Sequence, residues 1–571
     1  MKKIVQKEEL AVMLYTLLNF IWIALTTFLL GILIISIVQK IMKINIVSLD
    51  SILISGLVFA TVYAETWSFF YKVRFLANAF LFLICTIIII CFRKKILVIV
   101  KNVSRTSNIR NKVLLLALLF IGLMIASQKP EAYDTALYHA QAIHWIEEYG
   151  CTKGLGNLHN RFAYNSSFLC LQALYSWASI VGQSLHGMNA YIAVILVGYA
   201  VMSFRFFKIK KESIADAFNL TILLYIGYSI STLSSPHTDF LAMSLILYII
   251  SKWFRAPSME EKSLLCILAI FGCTVKLTVA PLVLLALCPL IDFFKHKKWK
   301  YLLFCTIMGI VIVIPFLVRN IFISGYLIYP YPVIDIFDFD WKMPSYTVMF
   351  DHNEIVSWGR GIKDAYLYDL RINEWLPVWF QSLTITEKYL ILINIILMIL
   401  LMFWVITCIK KKQYELIYLY CVFLTGMFMW FFSAPLIRYG RVYLYILPAF
   451  VIGLLLQKEC AAKTIIKYAA TIVCTIYICY SFSEYAKNVS PLRLIMPEDY
   501  KEYSSDTITW EKGVKIYTVT KGDQSGYNPF PMIPYASRLD LIELRGDTLK
   551  DGFRMKEEYQ KAKVNTYGSV E

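Results

Sequence analysis

The chain has 571 residues, of which 58% are hydrophobic and only 17% charged, with a mean hydropathy of +0.61. Such a composition lies outside the range of soluble domains and marks a polytopic membrane protein. The net charge of +17 arises from Lys and Arg residues that sit mostly in short loops between apolar runs, which reads as membrane topology and not as a nucleic-acid partner.

A membrane helix needs roughly 17 to 25 apolar residues. Such runs fall near 10–38, 49–65, 75–92, 112–127, 188–204, 216–233, 239–254, 263–277, 279–294, 300–318, 386–408, 414–433, 441–457 and 464–483, predicting about fourteen spans within a range of 13 to 15. The first run starts near Leu10 and lacks a small-residue cleavage site, so it reads as a retained span. Basic loops follow at "RKKILVIVKNVSRTSNIRNK" after Phe92, "RFFKIKK" from Arg205, "KHKKWK" from Lys295, "KKK" at Lys410 to Lys412, and Lys458 with Lys463. The positive-inside rule assigns them to the cytoplasm and places the N-terminus outside. Five segments then lie on the opposite side: 128–187, the turn from Ser234 to Asp239, 319–385, 434–440 and the tail from about 484.

Within 128–187, a helix starting at Asp134 would align Tyr138, Gln141 and Trp145 on one face. The stretch "SSFLCLQALYSWASIVG" is apolar enough to dip into the bilayer or cross it. In the tail, "GVKIYTVT" alternates as a strand does, while "KGDQSGYNPFPMIPYASR" is turn-rich, predicting a small, mostly irregular α+β appendage. Most of the 13 cysteines lie in apolar runs and read as small buried hydrophobes, Cys151 and Cys170 being the pair that could meet on the outer side.

The unusual ionisable residues gather at outer span ends. Asp134 follows a membrane exit, where partial desolvation suits general-base work, although Asp before "TALYHAQAIHWI" is also a favoured helix cap. Asp239, after "LSSPHT", either complements a helix dipole or faces the same outer cavity together with His237. Lys276 interrupts an apolar hairpin in "CTVKLTVAP", either to hold a phosphate or to snorkel. Arg319, Arg438 and Arg441 sit against the positive-inside preference, where guanidinium groups suit phosphate oxygens or pair with Asp335, Asp338 or Asp340. Glu131 and His139 are supporting candidates beside Asp134. A Gly-rich phosphate loop, HExxH, an EF-hand loop and GxSxG are all lacking, which argues against soluble-nucleotide chemistry.

The order "EAYDTALYHAQAIHWI", "SSPHTDF", "TVKLTVAPLVLL", "IPFLVRNIFISGYLIYP", "SAPLIRYGRVYLYILPA" resembles the GT-C superfamily of integral-membrane glycosyltransferases, relatives of the protein mannosyltransferases and aminoarabinose transferases. It is most similar to an uncharacterised bacterial multipass branch, over roughly 112–571. The resemblance implies a helical catalytic module over 112–483, additional N-terminal spans over 1–111, an outer tail over 484–571, and a site in a bacterial cell membrane facing outside. It implies Asp134 as the base that deprotonates an acceptor hydroxyl, with a polyprenyl-phosphate-linked sugar as donor and an envelope glycan, lipid or protein as acceptor. Asp239 would be a second acidic residue of the cavity; Lys276, Arg319 and Arg438 would contact donor phosphate, with Tyr138, His139 and His237 beside the substrate. No cofactor is implied: relatives often carry two adjacent acids in the first loop, whereas Thr135 follows Asp134, so support for a divalent cation is lacking. The tail lacks the cysteines of that branch, with Ser525 and Met532 in their region. A glycolipid flippase and a polysaccharide polymerase or ligase are the competing expectations.

Overall fold

The computed structural model describes residues 2–45, 48–106, 108–457, 463–489 and 498–570. Lys458 lies outside the described residues. The chain is an all-α polytopic membrane protein with a little sheet near its C-terminus. Among the described residues, eleven helices are long and apolar enough to cross a membrane, from Tyr15–Met42 to Thr464–Lys487. All fourteen expected runs fall on helical segments. Three of these helices are shorter: Met188–Ser203, Thr238–Trp253 and Met259–Val275 have 16, 16 and 17 residues. Thr238–Trp253 is buried along nearly its whole length, so protein and not lipid surrounds it.

The basic stretch after Phe92 is helical, not a loop. Phe92 breaks the regular geometry (φ −112°, ψ 15°), and the helix then continues to Thr106. Lys95 folds back from it to Ser36 and Gln39, at 2.8 and 2.6 Å. "SSFLCLQALYSWASIVG" forms a buried nine-residue helix, Ser167–Tyr175, which rises only about 14 Å. That is too short to cross. It dips into the bundle, where the Tyr175 carbonyl accepts from Asn19 at 2.8 Å.

Ion pairs show which helix ends share a side. Lys252 meets Asp50 and Arg255 meets Asp216, each at 2.6 Å. Lys298 reaches Glu260 at 2.8 Å, and Lys262 pairs with Glu415. The basic loops from Arg205, Lys295 and Lys410 therefore gather at one end of the bundle. The segment 128–187 and the tail meet at the other.

In the tail, β1 (Ser505–Thr509) pairs antiparallel with β2 (Lys515–Val519), and β2 pairs parallel with β3 (Met532–Ile533). The strands β4 (Ile542–Leu544) and β5 (Phe553–Met555) form a separate antiparallel pair. Turn-rich residues between β2 and β3 make the docking contacts. The Ser525 and Gly526 amides both donate to the Ala136 carbonyl at 2.8 Å, and Tyr527 donates to the buried Glu147 carboxyl. Further along, the Phe553 amide donates to the Lys153 carbonyl at 3.0 Å.

A candidate active site at the tail end of the bundle

Three separate pieces of chain converge beneath the tail. The loop after Ile109–Ala126 is clipped to the Ser234–Ser235 turn, because Ser235 Oγ accepts from both the Glu131 and Ala132 amides at 2.9 Å. Asn189 then holds the far side of that turn, donating to the Ser235 and His237 carbonyls at 2.8 and 2.9 Å. These hydrogen bonds bring Asp134 and Asp239 to one place, although 105 positions of sequence separate them.

Arg438, near the start of Ile437–Gln457, bridges the two carboxylates. Its guanidinium lies 2.9 Å from Asp134 and 3.5 Å from Asp239. Asp239 also pairs with Lys276, which sits in extended conformation between Met259–Val275 and the following 3₁₀ segment. The Tyr439 ring supports both cations, 4.1 Å from Lys276 Nζ and 5.0 Å from the Arg438 guanidinium carbon. Asp134 makes no capping hydrogen bond, so its ion pair, not helix capping, accounts for its placement here.

A π-helical turn, Thr135–His139, separates Asp134 from the regular helix Ala140–Tyr149. Its wider winding changes the helical phase. Asp134 and Tyr138 therefore stay with the ionic cluster, while Gln141 and Trp145 turn to the tail. Gln141 donates to the Tyr527 and Pro529 carbonyls, and Trp145 packs on Phe530 and Phe553. The four residues do not line one face, as an uninterrupted α-helix would require.

Two histidines complete the wall. Both ring nitrogens of His139 and Nε2 of His237 are buried without a hydrogen-bond partner among the described residues. Burial lowers each pKa to about 4 despite the nearby Asp134 and Asp239 carboxylates, so both rings are neutral at pH 7. Burial, and then the Asp134 charge, raises the Tyr138 hydroxyl well above its usual range. The Arg438 side chain is 42% exposed against 25% for Lys276, which makes Arg438 the cation an anionic ligand reaches first.

The other expected residues lie elsewhere. Arg319 is 3% exposed, donating to Ser68 at 2.6 Å and Asn165 at 3.2 Å. Its charge is taken up inside the bundle instead of at the cluster, because that end of Trp299–Ser324 is covered by the segment 151–170. Arg441 turns to Glu387 at 3.2 Å and the Tyr228 ring at 3.9 Å. Asp335 and Asp340 pair with Lys342 and Arg545, not with these arginines. Glu131 contributes its backbone to the clip. All described cysteines are free, including Cys151 and Cys170. Tyr439 and Asn189 were not anticipated. The pattern "IRYGR" flanks Tyr439 with arginines but carries no sign that the ring is a platform, and Asn189 is one polar residue in an apolar run. Among the described residues no three His, Cys, Asp or Glu side chains converge as a metal-ligand set.

Residues 13–445 match the family described as Domain of unknown function (DUF8201). The chain belongs to that family. No curated protein and no solved structure matches it. The DUF8201 region begins within the first helix and runs through Asp134, Asp239, Lys276 and Arg438, ending before the tail that covers them.

Proposed function

We propose that the chain is a GT-C-type membrane glycosyltransferase that moves a sugar from a polyprenyl-phosphate donor to a cell-envelope acceptor. The observation that carries this reading is the bridge from Arg438 to both Asp134 and Asp239, with Lys276 beside it, at the end of the bundle away from the basic loops. In this reading the tail and this cluster face the outside of a bacterial cell membrane, where a lipid-linked donor is available without a nucleotide.

In the resting arrangement Asp134 is held by Arg438. Donor phosphate competes for that exposed guanidinium and frees the carboxylate. Asp134 then takes the proton of the acceptor hydroxyl as its oxygen bonds to the sugar's anomeric carbon. The bond from that carbon to the phosphate oxygen breaks, and its electron pair leaves with the phosphate. Arg438 and Lys276 stabilise the charge growing on the leaving group, where fixed cations act most strongly. His139 and His237, whose neutral rings are largely buried, add no charge beside the two carboxylates. Arg319 has no part in this scheme.

The test is reconstitution with a panel of polyprenyl-phosphate sugars and acceptor lipids, comparing wild type with Asp134→Asn. Loss of donor consumption in a folded variant supports the assignment. Undiminished turnover rejects Asp134 as the base, and lipid scrambling without sugar release points to a flippase.

A further inference from the structure

A cavity of about 1150 Å³ opens at the basic end of the bundle, remote from Asp134. It lies among the helices Leu49–Ser68, Ile109–Ala126, Met188–Ser203 and Met259–Val275. Its deeper wall is apolar, with Phe28, Val62, Val194 and Leu268. From Asp50 at the mouth to Val62 is twelve residues of one helix, about 18 Å, a little more than half of a hydrocarbon core of roughly 30 Å. The cavity therefore has the depth of one leaflet. Two of its bounding helices, Phe75–Asn102 and Ile109–Ala126, are only 22% and 17% buried, so this edge borders the bilayer.

The mouth carries Lys112, Arg205, Lys252 and Arg255, with Asp50 and Glu261. Two of the cations are already committed. Lys252 pairs with Asp50, and Arg255 with Asp216 at 2.6 Å and Glu212 at 3.3 Å. The side chains of Lys112 and Arg205 are exposed and have no partner among the described residues. An apolar slot one leaflet deep, closed by two uncommitted cations, matches an amphiphile with an anionic head; basic pockets between membrane helices bind such headgroups.

We propose that this cavity is a binding site for a lipid of the adjoining leaflet with a net-anionic, phosphate-containing headgroup. The chains fill the apolar slot, and the phosphate lies between Lys112 and Arg205. The site is separate from the Asp134 cluster, and its existence does not rest on the reaction proposed there.

Gly198 gives a direct test, because it lines the cavity and a Cβ placed on it meets no atom within 4 Å. Gly198→Phe therefore starts its side chain in open space and directs a ring into the slot. The full chain in detergent is titrated with phosphatidylglycerol and, separately, phosphatidylcholine, and bound lipid is counted by native mass spectrometry. Wild type is expected to retain one phosphatidylglycerol in preference to phosphatidylcholine. The double variant Lys112→Ala/Arg205→Ala weakens phosphatidylglycerol binding about 30-fold, the equivalent of roughly 2 kcal/mol for two basic contacts, and leaves phosphatidylcholine unaffected. Gly198→Phe loses both lipids at an unchanged unfolding temperature. Equal phosphatidylglycerol retention by wild type and both variants overturns the proposal, as does a wild-type preference for phosphatidylcholine. Should Gly198→Phe fail to fold, the exposed pair decides alone.

Discussion

Replacing Glu147 tests how the tail is held over the candidate site. Glu147 is fully buried and accepts from Tyr527 of the tail and, at 3.3 Å, from Ser184. Burial, outweighing those hydrogen bonds, raises its pKa from 4.5 to about 7. The folded chain thus holds this proton more tightly than the unfolded one. For a raised carboxyl the stabilisation is fully present below about 4.5, falls as pH rises toward 7, and is level above that. The span is worth at most roughly 3 kcal/mol, about a hundredfold in the population of the opened tail. Glu147→Gln keeps the shape and mimics the neutral acid, so it should abolish this pH dependence and hold the tail at least as well as wild type at pH 8. Glu147→Ala leaves the Tyr527 and Ser184 hydroxyls unpaired in a new cavity and should cost roughly 3 kcal/mol or more at any pH. Hydrogen exchange of the Ser525 and Gly526 amides, which bond to Ala136, reads the opening directly. Taking wild type minus Glu147→Gln cancels other titrations, including that of His144, which stacks on Tyr527. A flat difference across pH 5 to 8, or a Gln variant as loose as the Ala variant, would refute the reasoning.

Arg438→Gln should lower donor consumption by about 10²-fold or more, as expected when a cation is removed from a growing anion; a variant with full turnover in the reconstituted assay would remove Arg438 from the site. Lys276→Met leaves buried Asp239 short of a partner and should destabilise by roughly 3 kcal/mol, with most of the loss recovered in Lys276→Met/Asp239→Asn, as read from detergent melting curves. His139 and His237 have folded pKa values lowered to about 4, so their stabilisation is present above about 6.5 and is lost as pH falls toward 4. His237→Asn should flatten that acid limb, and an unchanged limb would contradict its burial as a neutral ring. Gly56→Ala should destabilise the contact between the first two spans by about 1–3 kcal/mol, because its Cβ would lie 1.7 Å from the Thr27 carbonyl oxygen. Unaltered melting would show that these helices pack less closely.

Much of this fold was legible because membrane spans announce themselves through length and apolarity, and every expected run falls on a helical segment. The residues after Phe92 misled because lysines and arginines recur at a spacing that a helix tolerates as well as a loop does. The face shared by Asp134, Tyr138, Gln141 and Trp145 failed for a different reason. A π turn has no residue signature in "DTALYH", and one such turn is enough to send half of a helix face to another partner.

Arg319 and Arg438 show where reading charge at span ends reaches its limit. Both sit at ends assigned to the same side, and both break the positive-inside preference. What separates them is the chain that covers each. The segment 151–170 covers Arg319 and supplies Asn165, while the end of Leu49–Ser68 supplies the Ser68 hydroxyl, so its charge is spent inside the bundle. Arg438 faces two carboxylates from distant helices and retains 42% exposure. A cation balanced by carboxylates yet reachable by a ligand can exchange one anion for another, and a cation sealed among hydroxyl and amide partners cannot. That difference, set by tertiary cover and not by local sequence, is why the bridge centred on Arg438 carries the functional reading and Arg319 drops out of it.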